Sequence, residues 1–202
     1  MRAVIIGNGK ISSYAWLTER IRHDDFVICA DGGYIYADNA GIKINLIMGD
    51  FDSAPEPDTD TAKLVYPVRK DYTDSEICVK YALEHGYDEI LMFGMTGSRM
   101  DHTLTNMLLL MQCENACIVD DNNEIYLLRG SFCAKNKKGK TLSIIPIGGD
   151  INGITTKGLD YPLRNETLYM GESRGNSNVI CDDYCEITTR DGIGFVIIND
   201  GE

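Results

Sequence analysis

Short apolar runs rich in β-branched residues alternate with segments of helical period from Met1 to about Arg129, and this alternation most constrains what the chain can fold into. A strand buried on both faces reads as a continuous apolar run, and parallel neighbours need a crossover between them. The pattern therefore predicts a parallel sheet flanked by helices. The expected strands are residues 3–6, 26–30, 46–48, 64–66, 89–93 and 117–119. Thr73 followed by Glu76 has the spacing of a capping box and predicts a helix running to about Glu84. Leu104, Met107, Leu108 and Met111 follow the i, i+3, i+4, i+7 rule and predict one buried helix face.

After Gly130 the texture changes to β-rich runs at 142–146, 186–189 and 195–198. Turn clusters lie between them: Asn136-Lys137-Lys138-Gly139, Gly148-Gly149-Asp150 and Asp191-Gly192. The expected architecture is an α/β domain with a parallel sheet over residues 1–129, then an antiparallel all-β sandwich or barrel over 130–202. No internal repeat or low-complexity linker is evident, so the two parts are expected to pack closely.

Composition narrows the function classes. With 202 residues and 44% hydrophobic content the chain can bury a sizeable core. A formal net charge of -12 argues against a nucleic-acid scaffold, because binding phosphates without a metal needs clustered Lys and Arg. A phosphate ligand would need cations to mediate. The N-terminal apolar run is too short for a signal-peptide core and nothing approaches a membrane span, so a cytoplasmic location is expected. The 7 cysteines contain no C-x-x-C pair. The wider spacings of Cys113 with Cys117 and of Cys181 with Cys185 fit reduced thiols better than a zinc site. His23 and His85 have no partner spacing and are expected on the surface or at helix ends.

Ligands of open α/β sheets bind beyond the carboxyl ends of the strands. Here those ends run into Asp31-Gly32-Gly33, Gly49-Asp50-Phe51-Asp52-Ser53, Lys70-Asp71-Tyr72-Thr73-Asp74 and Gly94-Met95-Thr96-Gly97-Ser98-Arg99-Met100-Asp101-His102. In an extended backbone Asp50 and Asp52 share a face, where two carboxylates repel, shift a pKa or share a hard cation such as Mg2+. Gly32, Gly33, Gly94 and Gly97 either turn amides toward phosphate oxygens or only make turns. Lys70 and Arg99 either offset phosphate charge or are solvated. Asp101 either caps a helix or takes part in chemistry. Gly7-Asn8-Gly9-Lys10-Ile11-Ser12 lacks the spacing of a P-loop and the third glycine of a dinucleotide fingerprint, and reads as a strand-to-helix turn near the ligand. No protein-kinase signature set occurs. Together these loops describe a rim for Mg2+ and a polyphosphate.

The ordered set Asp31-Gly32-Gly33, residues 49–53, Lys70-Asp71-x-Thr73-Asp74-x-Glu76, and Thr96-Gly97-x-Arg99-x-Asp101-His102 with Asn106 resembles the thiamine pyrophosphokinase family. The likeness continues through Ser143-x-Ile145-Pro146, Lys157-Gly158-Leu159-x-Tyr161-Pro162-Leu163 and Gly175-x-Ser177-Asn178. Ser98 departs from the glycine usual in the family, and the lone Trp16 leaves no late Trp for stacking.

This resemblance implies transfer of diphosphate from ATP to thiamine, giving thiamine diphosphate and AMP, with Mg2+ required. It implies a catalytic first domain that binds ATP and Mg2+, a second domain for thiamine binding and dimerisation, and a homodimer with active sites between subunits. The catalytic residues it implies are Asp50, Asp52, Asp71, Asp74, Arg99 and Asp101. Asp50, Asp52 and Asp74 would hold the metal, and Asp74 or Asp71 would lie nearest the attacking hydroxyl. Asp31, Gly32, Gly33, Ser53, Lys70, Thr73, Thr96, Gly97, Arg99, His102 and Asn106 would contact the substrates, joined by Ser177 and Asn178 from the partner chain. The same carboxylate rim could also serve a nucleotidyltransferase or a nucleotide hydrolase.

Overall fold

The structure, a computed structural model, describes residues 1–52 and 55–199. The chain divides into two compact units between Asp121 and Asn122. The expected boundary near Gly130 falls inside a strand, Asn123–Lys135.

In the first unit β1 (Arg2–Ile6), β2 (Phe26–Ala30), β3 (Leu46–Gly49), β4 (Ala62–Val65), β5 (Glu89–Phe93) and β6 (Ala116–Val119) form a parallel sheet in the order β6-β5-β1-β2-β3-β4. The helices are α1 (Tyr14–Arg20), α2 (Gly33–Asn39), α3 (Asp74–Glu84) and α4 (Met100–Leu109). Val4, Ile28, Ile47, Met92 and Ile118 in the central strands are fully buried, as continuous apolar runs require, whereas the edge strand β4 is mostly exposed. Chain order reverses at β1, because β2 pairs on one side of it and β5 on the other. A crevice at the carboxyl end of β1 is the position where such sheets bind ligands.

Helix α3 begins as its capping box predicts: the Thr73 hydroxyl accepts from the Glu76 amide at 3.2 Å, and His85 stands at its carboxyl end. Helix α4 departs from expectation. Leu104, Leu108 and Met111 are exposed and Met107 only half-buried, whereas Asn106, Leu109, Leu110 and Cys113 are buried. The Asn106 side-chain amide donates to the Met95 carbonyl at 2.8 Å, so this helix is phased to tie down the loop before it.

The second unit holds β7 (Asn123–Lys135), β8 (Thr141–Lys157), β9 (Arg164–Leu168), β10 (Asn178–Val179) and β11 (Tyr184–Asn199), all paired antiparallel. Gly148-Gly149-Asp150 and Asp191-Gly192 do not separate strands, as the sequence suggested, but lie within β8 and β11. Gly148 (φ 72), Gly149 (φ 153) and Gly192 (φ 89) adopt conformations closed to most residues, and the β11 ladders shift register beside Ile193. Leu142, Ile144, Ile151 and Ile154 from the two halves of β8, and Cys185, Ile187, Val196 and Ile198 from those of β11, share one buried cluster. Each long strand therefore folds over at its glycines to cover a single core.

Among the described residues no helix is long and apolar enough to cross a membrane. The cysteines are free thiols; Cys29, Cys78, Cys113, Cys117 and Cys185 are buried, Cys181 is half-buried and Cys133 is exposed.

Candidate active site

A cleft of about 480 Å³ opens at the carboxyl ends of the parallel strands in the first unit. Asp31, Asp50, Asp52, Lys70, Thr73, Asp74, Thr96, Gly97, Arg99, His102 and Asn106 line it. The cleft lining does not include Gly32, Gly33, Asp71 or Asp101. Ser177 and Asn178 belong to the second unit, and Ser53 lies outside the described residues.

The charges of the cleft converge on Lys70. Its ammonium donates a short hydrogen bond to Asp50 Oδ2 and lies 3.1 Å from Asp74 Oδ1. The side chains of Lys70, Asp50 and Asp74 are only 12%, 6% and 21% exposed, so these charges are far less screened than a surface pair. Burial pushes the Asp50 carboxyl up, but hydrogen bonds from Lys70 and the Asp52 amide, with the lysine charge, outweigh it and hold Asp50 below its ordinary value. Asp74 goes the other way. Its burial, assisted by the charges of Asp50 and Asp31, overrides Lys70 and raises it above the ordinary carboxylate value. The contact at 3.1 Å attracts by charge but is poorly aligned, and Asp74 Oδ1 has no properly formed hydrogen bond among the described residues. Two carboxylates around one cation are thus driven apart in proton affinity, the arrangement that separates an anion from a proton acceptor.

Asp50 and Asp52 do not share a strand face. Strand β3 ends at Gly49, and Phe51 takes a left-handed conformation (φ 56) that turns the chain. The Asp52 amide then donates to Asp50 Oδ1 at 3.2 Å. The strand alternation assumed from sequence fails here because a side-chain-to-backbone bond offered the chain a turn instead. Asp31 also sits at positive φ (48), buried, with its amide on the Met48 carbonyl at 2.8 Å. Such conformations carry strain in a non-glycine residue and gather at functional sites.

At Gly33 and Gly94 the geometry shows close packing and a turn. Gly32 has φ -64, and a Cβ on Gly33 would stand 2.0 Å from the Ile6 carbonyl oxygen, so Gly33 serves close packing of α2 on the end of β1. Gly94 does need its freedom: φ is +64 and a Cβ there would lie 2.4 Å from Gly7 O. Thr73 spends its hydroxyl on capping α3, and Asn106 spends its amide on Met95. Arg99 forks onto Asp101, with Nη2 at 2.5 Å from Oδ2 and Nε at 3.2 Å from Oδ1. This hydrogen-bonded pairing holds the Asp101 carboxyl down to about 2, though both side chains are well exposed. Asp101 thus pairs with Arg99 in the first turn of α4 instead of capping it.

Asn178 is a clamp within the second unit. Its Oδ1 accepts from the Tyr161 and Val179 amides at 3.0 and 2.9 Å, while its Nδ2 donates to Tyr161 O at 2.8 Å. Ser177 is exposed at φ 57, and its amide donates to Ser143 Oγ at 3.0 Å.

Asn8, Tyr72 and Met95, which stood in loops expected near the ligand but were given no role of their own, also line the cleft. Ser75 and Thr103 line it too and had no signal in the sequence. Nor did the sequence point to Asp120, which accepts the Thr96 hydroxyl at 3.0 Å. Asp120 follows β6 just as Asp31 follows β2.

Carboxylate oxygens are the hard donors that Mg2+ takes, and the poorly satisfied Asp74 Oδ1 beside Asp50 suits such a cation. Among the described residues no three acidic, His or Cys side chains stand gathered as a ready metal group. The Lys70 ammonium lies between two of the carboxylates expected to hold one.

Residues 17–127 match the family model for the thiamin pyrophosphokinase catalytic domain, and residues 132–193 match that for the thiamin pyrophosphokinase vitamin B1 binding domain. A thiamine pyrophosphokinase of Bacillus subtilis is 34% identical over 163 residues, covering 75% of this chain and 76% of that protein. The crystal structure of thiamine pyrophosphokinase from Bacillus subtilis superposes over 100% of both chains with a TM-score of 0.89 and 26% identity. That of Geobacillus thermodenitrificans covers 98% of this chain and 97% of its own, with a TM-score of 0.88 and 27% identity. With both family models matched in order along its length, the chain belongs to the thiamine pyrophosphokinase family.

Proposed function

We propose that this protein transfers a diphosphate group from ATP to the hydroxyethyl oxygen of thiamine, giving thiamine diphosphate and AMP. The observation that carries the reading is the convergence of Asp50, Lys70 and Asp74 in a cleft at the sheet's reversal point, in a chain of this family. In the reaction the thiamine oxygen forms a bond to the β-phosphorus. The bond from that phosphorus to the oxygen bridging the α-phosphate breaks, and the hydroxyl proton leaves. Positioning and charge stabilisation supply most of the acceleration in phosphoryl transfer, and the same holds for a diphosphoryl group.

The chain's own groups suit these tasks. Asp74 lines the cleft, whereas Asp71 is exposed and is not part of its lining, which favours Asp74 of the two as the acceptor for the hydroxyl proton. Asp50, held ionised by Lys70, keeps that ammonium aimed into the cleft. Arg99 carries the planar fork that fits phosphate and would exchange its exposed Asp101 partner for the substrate. Asp50, Asp52 and Asp74 are the residues that would hold Mg2+, which when bound neutralises charge on the phosphates. A net charge of -12 also attracts thiamine, itself a cation.

The same proposal includes a cytoplasmic homodimer in which the β unit, an antiparallel sandwich or barrel, offers the neighbourhood of Ser177 to a partner's cleft. The apolar stripe of Met100, Leu104 and Leu108 on α4, and Tyr161 with Val179 on the second unit, are exposed, and exposed apolar surface of this kind supports self-association. The test is direct: incubate purified protein with ATP, Mg2+ and thiamine, and identify both products by mass. Thiamine diphosphate and AMP in equal amounts are expected. ADP with thiamine monophosphate, or AMP formed without thiamine, would overturn the assignment.

A further inference from the structure

Several hydrogen-bond donors in and beside the turns after β1 and β5 are spent within the protein. The Gly9 and Lys10 amides donate to the carbonyls of Gly94 and Thr96 at 2.8 and 3.0 Å. The Gly97 amide donates to Thr103 Oγ1 at 3.2 Å, and that hydroxyl gives its own proton to the Arg99 carbonyl, also at 3.2 Å. The Asn106 amide goes to Met95 O at 2.8 Å. Most telling is Thr96, whose hydroxyl donates to Asp120 Oδ2 at 3.0 Å. A hydroxyl has one proton and two lone pairs, and a carboxylate can only accept. The proton of Thr96 is therefore committed to Asp120, and its oxygen has only lone pairs left to offer.

A phosphate oxygen at neutral pH also offers only lone pairs, so it cannot bond to Thr96 Oγ1, and the carboxylate behind that oxygen repels it. We propose that Asp120 is a positioning residue that fixes Thr96 as a hydrogen-bond acceptor, so that Thr96 receives an amino or hydroxyl group of a bound substrate and not its phosphates. The polyphosphate is left to Lys70 and Arg99, cations that line the same cleft. The inference rests on the proposed reaction for its choice of substrates. Three donors then qualify: the adenine amino group, the ribose hydroxyls and the amino group on the pyrimidine of thiamine.

Substrate analogues separate these sources. The kcat/KM of wild type and of Thr96→Val is measured with ATP and thiamine, then with purine riboside triphosphate, with 2′,3′-dideoxy-ATP, and with thiamine whose pyrimidine amino group is replaced by hydrogen. Thr96→Val should lose about five- to tenfold with the parent substrates, the scale of one hydrogen bond. That loss should vanish for the one analogue whose missing donor met Thr96. Thr96→Ser keeps the hydroxyl and should keep the wild-type ratio between parent and analogue. Asp120→Ala removes the acceptor of the Thr96 proton and so frees it, and should narrow that ratio without touching substrate itself. An equal loss by Thr96→Val on the parents and on all three analogues would overturn the proposal, as would an unchanged ratio in Asp120→Ala. Wild-type turnover reports the reaction separately. Were it absent, calorimetric binding of the same nucleotides and thiamines would still read the subsite, and a Thr96→Val that failed to fold would leave the Thr96→Ser and Asp120→Ala ratios to decide.

Discussion

Removing the cation between two carboxylates should cost more than removing a surface lysine, and Lys70→Met tests this. Lys70 is 12% exposed, with Asp50 at 6% and Asp74 at 21%, so the usual near-zero worth of an exposed ion pair does not apply. At an effective dielectric of about 20, the 3.1 Å contact to Asp74 alone carries roughly 5 kcal/mol of attraction before desolvation. Desolvating the charges, and solvent entering the open cleft, return much of this, leaving a net loss of about 2–3 kcal/mol when the ammonium goes and the carboxylates face each other. For a chain of this size each kcal/mol moves Tm by about 2–4 °C, so scanning calorimetry without divalent metal should show a fall of roughly 4–12 °C. Millimolar Mg2+ should then raise the Tm of Lys70→Met by several degrees more than that of wild type, because in the variant a divalent cation can also fill the place of the ammonium. An unchanged Tm in metal-free buffer, or an equal Mg2+ effect on both proteins, would refute the reasoning.

Asp52→Asn preserves shape and the backbone turn but removes a charge from the cleft, and should lower turnover at least ~100-fold with the fold intact by circular dichroism. Near-normal activity at saturating Mg2+ would take Asp52 out of the metal-holding set. Asn178→Ala removes the bonds to Tyr161 and Val179 and should cost about 2–3 kcal/mol, with faster proteolytic cleavage near residues 159–163; an unaltered cleavage rate would count against the clamp. Asp25→Ala strands Arg2, whose side chain is 9% exposed, and should cost about 3–5 kcal/mol in urea unfolding at neutral pH. Burial would raise Asp25, but the Arg2 hydrogen bond reverses this and lowers it, so its stabilisation is full above the unfolded carboxylate value and fades as pH falls through the folded one. The gap between wild type and Asp25→Ala should therefore narrow below about pH 4, and a gap independent of pH would contradict the assignment.

Much of the first unit was legible because its strands are buried on both faces and announce themselves as apolar runs. The expected 26–30 and 89–93 coincide with β2 and β5. Long strands were harder. β8 and β11 were read as shorter pieces because their glycines carry turn chemistry, yet those glycines bend a continuous ladder over the core. In α4 the period was read correctly and the phase was not: Asn106, a polar residue, faces inward because Met95 O must be paired, and Leu104 and Leu108 are left outside. Periodicity counts apolar residues and cannot see a buried hydrogen bond made by a polar one.

Capping, strand runs and the polar loop at each strand end follow from bonds between residues close in the chain, and these the sequence determined by itself. Thr73 capping Glu76 needs no tertiary knowledge. Which candidates meet is another matter. Lys70 reaches Asp50 across 20 residues of chain and Thr96 reaches Asp120 across 24, by closures that depend on the parallel order β6-β5-β1-β2-β3-β4. Only that order brings Asp50, Lys70 and Asp74 together, leaves Asp71 outside, and spends the hydroxyl of Thr96 on a carboxylate. A side chain's chemistry is carried in its identity, but its charge state and the bonds it has left to offer are decided by neighbours that the fold supplies.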